Sequence, residues 1–148
     1  MATKRPSLKG RALSFLARRE HTRLELQRKL APHADDPGAI ESLLDELEKR
    51  GWLSEARFVE QTVTRLARRY GARRIAHALR EKGVAQDSIA KALPPREEEI
   101  IAAQRALKRK FPLPPANLEE KARRMRFLQN RGFDYDVICK VIESGSDE

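Results

Sequence analysis

The sequence predicts an all-α chain of three tandem three-helix repeats, helix-turn-helix-like units forming an elongated, curved molecule, and three observations carry that expectation. Apolar residues return at spacings of three and four from Leu13 to Ile142, the period of a helix with one buried face. No long alternating run of Val, Ile, Thr and aromatic residues marks a strand. The chain also repeats itself: Leu16-Ala17-Arg18-Arg19 returns as Leu66-Ala67-Arg68-Arg69, Leu107-Lys108-Arg109-Lys110 is a looser third copy, and Leu30, Leu79 and Leu128 are evenly spaced. Segments 79–84 and 128–133 match best, followed by Ile89 against Ile138, Lys91 against Lys140 and Leu93 against Ile142.

Residues 1–11 read as a basic N-terminal arm, 12–53 as the first repeat, 54–93 as the second, and 94–148 as the third with a short C-terminal tail. In the first repeat, Thr22 with Glu25 three residues on is a capping signal that starts a helix over 23–30. Pro32 and Pro37 flank a loop containing Asp35 and Asp36. Ile40, Leu43, Leu44 and Leu47 then form an apolar stripe opposite Glu41, Asp45 and Glu48, which gives the next helix an acidic outer face. Lys49-Arg50-Gly51 ends it with basic last-turn residues and a C-cap glycine, and Trp52 is expected to be a packing residue.

In the second repeat, Ser54 is the expected N-cap of a helix whose Ala56, Val59, Val63, Leu66 and Tyr70 share one stripe, with Arg57, Arg65, Arg68 and Arg69 elsewhere and Gly71 at its end. A second basic helix follows, then a short apolar one over 87–93, closed by Pro94-Pro95. In the third, Pro112, Pro114 and Pro115 break the chain after Phe111, Asn117 with Glu120 starts a helix over 118–131, and a short helix over 134–142 closes the unit. There Cys139, among Val137, Ile138, Val141 and Ile142, reads as a small core residue. A unit of about 45 residues buries its apolar faces poorly by itself, so neighbouring units are expected to pack end to end.

The chain has 148 residues, with 31 Lys and Arg against 22 Asp and Glu, a net charge of +9, and 40% apolar content. That is enough apolar material for a folded domain and more than a disordered tail carries. Unbroken apolar stretches are only a few residues long, so a membrane span is excluded, and no signal-type stretch follows the first residues; a cytoplasmic protein is expected. One cysteine cannot form an internal disulfide. His21, His33 and His77 lie far apart without ligand spacing, and a Gly-rich phosphate loop, a Gly-x-Ser-x-Gly turn and a His-Glu-x-x-His helix are absent. The expectation is therefore no catalytic residue, no metal and no cofactor, in a protein that is not an enzyme.

Charge is where the sequence points to a function. Residues 51–93 hold nine Lys and Arg against four Asp and Glu, the largest basic excess of the three repeats. Arg65, Arg68, Arg69, Arg73, Arg74, His77 and Arg80 fall in one interval without a single carboxylate, and Arg73, His77 and Arg80 share a helix face. Uncompensated like charge repels itself, so its presence suggests an anionic partner such as nucleic acid or an acidic protein groove. Arg18 and Arg19 in the first repeat and Arg123 and Arg124 in the third are the further candidates for filament or DNA contact. The bland alternative is that such arginines are solvated or paired with carboxylates on adjacent helices. With aromatics at 5% of the chain, base stacking is a minor mode, and contact with DNA would be sequence-tolerant and made to the backbone. A groove-reading helix-turn-helix is weakened by the short, apolar third helices, which carry few Arg, Asn or Gln residues.

The order and spacing of these segments resemble the RecX family of regulators of the bacterial recombinase RecA. The resemblance runs through Ala12-Leu13, Leu16-Ala17-Arg18-Arg19, Thr22-x-x-Glu25-Leu26-x-x-Lys29-Leu30, Gly51-Trp52-Leu53 and Glu55-x-x-Phe58. It continues through Arg69-Tyr70-Gly71, Ile75-x-x-x-Leu79-x-x-Lys82-Gly83-Val84, Ile89 to Leu93, and Arg131-Gly132-Phe133 with Ile138. Thr22 and Ser54 stand where the family often has Ser and an acidic residue, and both keep a capping oxygen. The resemblance implies a tandem three-helix-repeat fold and a protein that binds the RecA–DNA filament and inhibits strand exchange and coupled ATP hydrolysis; a monomer is expected because repeat stacking uses the apolar positions. It transfers no catalytic constellation, so the arginines rest on the charge argument alone. A stand-alone DNA-binding module, for single- or double-stranded DNA, and a passive protein-binding scaffold are the competing classes.

Overall fold

Side-chain caps start five of the described helices, α1, α2, α3, α4 and α8, in the computed structural model of the chain, which describes residues 5–144. Helix α1 (Leu8–Arg18) is started by Ser7, whose Oγ accepts the Gly10 amide. It therefore takes in residues read above as arm, and residues 1–4 of that arm lie outside the described residues. Helix α2 (Arg23–Leu30) begins at Thr22, whose Oγ1 accepts the Glu25 amide at 3.1 Å. After a 3-10 turn at Ala31–His33, α3 (Pro37–Lys49) starts at Asp36 with Pro37 in its first position, where a missing N–H costs nothing. Gly51 leaves it at φ 77, the left-handed conformation that a side chain disfavours.

Helix α4 (Glu55–Leu66) is capped by Ser54 as expected but stops at Leu66, short of Gly71. Gly71 instead serves as N-cap of α5 (Ala72–Glu81), which is followed by α6 (Gln86–Ala92). Helix α7 (Arg96–Lys110) sets Glu97, Glu98 and Glu99 in its first turn and Lys108, Arg109 and Lys110 in its last, each sign opposing the helix dipole. Asn117 Oδ1 accepts the Glu120 amide at 2.9 Å to open α8 (Leu118–Asn130), and α9 (Tyr135–Ser144) closes the described chain. No strand occurs among the described residues, and no described helix is long and apolar enough to cross a membrane.

Apolar side chains collect in three separate clusters, one per triplet of helices. Leu26, Leu30, Leu44 and Leu47 anchor the first, Ile75, Leu79 and Ile89 the second, and Leu128, Phe133, Val137 and Ile138 the third. The triplets do not merge their apolar faces as the small size of each unit leads one to expect. The helix pairs that pack most extensively, such as α7 on α9 and α2 on α3, all lie within one triplet. An accessible surface of 10389 Å2, well above the roughly 7,700 Å2 that size scaling gives a compact monomer of this mass, reflects the elongated body.

What joins the triplets is polar and recurs. The Lys82–Gly83 turn after α5 meets the start of α2, where the Thr22 hydroxyl donates to the Lys82 carbonyl at 2.7 Å and Leu24 lies 2.8 Å from the place a Gly83 side chain would fill. One triplet further on, the Arg131–Gly132 turn after α8 meets the start of α5. The amides of Gly71 and Arg73 donate to the carbonyls of Arg131 and Gly132 at 2.9 and 3.0 Å. Buried Glu99 completes this joint, accepting the amides of Ala72 at 3.2 Å and Asp134 at 3.3 Å through one carboxylate oxygen. The first amides of α5, which have no partner within their own helix, are thus satisfied by the next triplet.

Candidate functional site

The basic residues divide into those the fold uses and those it leaves free. Arg23 belongs to the first group, bridging Glu41, Asp45 and Glu48 at 2.7, 2.8 and 3.2 Å, so the acidic outer face of α3 is already answered from α2. The hydrogen bonds it donates to those carboxylates raise its pKa. Arg57 ties Glu20 at 2.8 Å to the Gly51 carbonyl at 2.6 Å across the first joint.

Arg19, proposed from sequence as a contact residue, forms a two-pronged pair with Glu25 at 2.5 and 3.0 Å. Lys82 adds a second cation 3.2 Å from the same carboxylate. Burial alone pushes the Glu25 carboxyl up, but the hydrogen bonds from Arg19 and Lys82 outweigh it and hold the group down at about 2. His21 lies beside this cluster, buried, with Nδ1 3.0 Å from the Arg19 carbonyl and Nε2 2.8 Å from Lys29 Nζ. Desolvation and the neighbouring cations push its pKa down, so it stays neutral and accepts from Lys29.

Arg124 departs most from the sequence expectation. It is buried at 8% exposure, donates from Nη2 to the Leu113 carbonyl at 2.6 Å and stacks 5.0 Å from the centre of the Phe111 ring. It holds the proline segment onto α8 and is unavailable to a surface ridge. Arg74 is half committed: its guanidinium lies 4.4 Å from the Tyr70 ring centre, to which Arg131 also comes within 5.4 Å, and it reaches the Asn130 carbonyl at 3.4 Å.

Arg65, Arg68, Arg69, Arg73 and Arg80 are exposed, and among the described residues none of them has a carboxylate within ion-pair distance. Arg65 and Arg68 line a shallow furrow of about 410 Å3 along α4 with Arg57, Glu60, Gln61 and Thr64, while Arg73 faces a separate cleft beside Met125, Gln129 and Tyr135. The ridge expected from sequence is therefore split between an α4 face and an α5 face. His77 is paired with Glu81 at 3.2 Å, one residue past the carboxylate-free interval. Arg18 and Arg123 are exposed and have no ion-pair partner among the described residues.

Sequence reasoning also missed Trp52. The residue is 42% exposed, with the Lys9 ammonium 5.9 Å and the Arg50 guanidinium 5.1 Å from its ring centre. Leu53 takes the buried position expected of it. The signal was available in the pairing of Trp52 with Arg50 beside a glycine that turns the chain outward. No group of His, Cys, Asp and Glu among the described residues could hold a metal ion.

These features define a class: a tandem three-helix-repeat protein with separate cores, polar joints and an arginine-rich, carboxylate-poor middle triplet. Comparison with known proteins places it further. Residues 54–93 match the family model for the second three-helix domain of RecX, and residues 97–142 match that for the third. The Regulatory protein RecX of Leptothrix cholodnii is 50% identical, the match covering 100% of this chain and 96% of that protein. That of Chromobacterium violaceum is 42% identical, covering 100% and 97%. The chain belongs to the RecX family. The crystal structure of RecX from Lactobacillus salivarius shares the fold, with a TM-score of 0.81 over 95% of this chain and 96% of that one at 18% identity.

Proposed function

We propose that this chain is a cytoplasmic regulator that binds the RecA–DNA filament and inhibits strand exchange and the coupled ATP hydrolysis, without making or breaking bonds itself. The observation that carries the reading is the set of exposed arginines without ion-pair partners among the described residues, Arg65 on α4, Arg68 and Arg69 in the turn after it, and Arg73 and Arg80 on α5, in a chain whose full-length relatives are regulatory proteins. In this mechanism the elongated monomer spans neighbouring recombinase subunits. Each triplet makes a modest contact and linkage makes the sum tight, while the body keeps a second duplex out of the groove and hinders rearrangement of the filament. The arginines face acidic protein surface or DNA phosphates.

The test is recombinase ATP hydrolysis on single-stranded DNA at increasing amounts of this protein, with wild type and a triple charge reversal. Arg74 is set aside because it also braces the second joint. Arg65→Glu, Arg68→Glu and Arg69→Glu together are expected to weaken inhibition at least tenfold with unchanged helicity. Full inhibition by that variant removes these arginines from the mechanism. Binding to naked duplex as tight as to recombinase-coated DNA would favour a stand-alone DNA-binding module instead.

A further inference from the structure

The first two triplets each receive a neighbour's turn at the loop and first turn of their second helix. The third triplet receives none, and at the corresponding place it carries a groove of about 880 Å3. The walls come from the second half of α7, the proline segment 111–117, the start of α8 and the end of α9. Phe111, Leu113 and Leu118 supply apolar surface, and Lys108, Lys121 and Arg124 supply positive charge. Leu113 and Leu118, at 75% and 82% exposed, are the most exposed large apolar side chains among the described residues. Water contact with two such side chains is unfavourable unless something covers them.

Charge sets the chemistry of the cover. Among the described residues the lining contains no Asp or Glu, and Lys108 and Lys121 have no ion-pair partner. Arg124, more than nine-tenths buried, keeps one hydrogen-bond donor, Nε, without an acceptor among the described residues. A buried donor left in that state is unfavourable, and an acceptor would relieve it. The occupied joint at α2 differs in sign: there the arriving turn, Lys82–Gly83, is basic, and the receiving side holds the buried carboxylate Glu25. With cations in place of such a carboxylate, the groove selects an acidic partner.

We infer that the groove between α7, the 111–117 segment and α8 is a docking site for an acidic peptide segment bearing apolar side chains. The apolar residues would cover Leu113 and Leu118, and the carboxylates would meet Lys108, Lys121 and Arg124. Nucleic acid fits the lysines but leaves the leucines exposed, and the aromatic ring of the groove, Phe111, is already stacked on Arg124 and edge-on to Phe127. This inference does not rest on the filament reading.

The experiment uses the full chain and three fluorescent pools of 12-residue peptides: Asp and Glu mixed with Leu and Phe, Asp and Glu mixed with Ser, and Lys and Arg mixed with Leu and Phe. Fluorescence anisotropy is expected to show binding of the first pool at least tenfold tighter than of the other two. Lys108→Glu with Lys121→Glu, and separately Leu113→Ser with Leu118→Ser, are each expected to abolish that preference. Both pairs change exposed or half-exposed side chains, and unchanged circular dichroism checks that the fold is intact. Equal binding of the pools, or a preference that survives either double variant, overturns the inference. So does displacement of the peptide by an equimolar thymidine oligonucleotide, which makes nucleic acid the occupant. Self-association of wild type that the leucine variant loses makes a second copy the occupant and overturns it equally.

Discussion

Glu25 shows how one side chain connects a sequence motif to the assembly of the whole chain. Its spacing from Thr22 reads as a capping box, yet the carboxylate turns away from the cap to Arg19 and Lys82. The amide half of the motif forms as expected. The group is held at about 2, below the ordinary glutamate range. A depressed carboxylate contributes stability that is present above its unfolded pKa and is lost as pH falls from about 4.5 towards 2. Glu25→Gln is expected to cost about 2–3 kcal/mol at neutral pH and to flatten the acid limb of the stability profile, read from urea midpoints between pH 2 and 6. Gly71 gives a second prediction. A side chain there would sit 2.4 Å from the Phe133 Cα and 2.5 Å from the Gly132 carbonyl oxygen, both backbone atoms with little room to move. Gly71→Ala is expected to lose about 1–3 kcal/mol by opening the second joint, and amide exchange at Arg73 should speed up accordingly.

Among the elements, legibility followed the range of the interaction. The starts of α2, α4 and α8 were readable because Thr22, Ser54 and Asn117 act within three residues of themselves. The end of α4 was not, because Gly71 answers to Phe133 and Arg131 from another triplet rather than to its own helix. The same holds for Arg124, whose burial depends on how the proline segment folds back over α8, and for Arg23, whose three carboxylates sit on a helix beyond a loop. The carboxylate-free interval 65–80 was visible at once, but its division between two faces required the α4–α5 turn. Capping supplies a quantitative contrast. Ser54→Ala removes one amide acceptor and is expected to cost about 1 kcal/mol. Thr22→Ala removes a cap and also the donor to Lys82, and is expected to cost about 2 kcal/mol; thermal unfolding of the two variants side by side measures the difference.

At the scale of the molecule, basic charge is neutralised at the joints and left open between them. Arg19, Arg23 and Arg57 are tied down in and around the first joint, whereas Arg65, Arg68 and Arg69 on and just beyond α4 have no ion-pair partner among the described residues. If the latter three meet phosphates of single-stranded DNA, their joint reversal lowers the magnitude of the log affinity–log salt slope by about 2; an unchanged slope would assign them to protein contacts. The repeat count and the all-helical class were legible from periodicity, but the mode of stacking was not. Size arguments favoured shared apolar faces, and the chain instead closes each core with its own leucines and isoleucines and spends hydrogen bonds on the seams.

That construction determines how the body can deform. Because each core is complete without its neighbours, flexing is confined to two couplings of a few hydrogen bonds apiece, and a rotation of one triplet against the next leaves every buried leucine where it was. The coupling at Gly71 is made mainly backbone against backbone and is expected to be the stiffer; the coupling at Thr22 is made by side chains that can swivel and is expected to be the more compliant. A rod with one firm and one yielding articulation can follow a track whose pitch changes while holding two thirds of its length in a fixed shape.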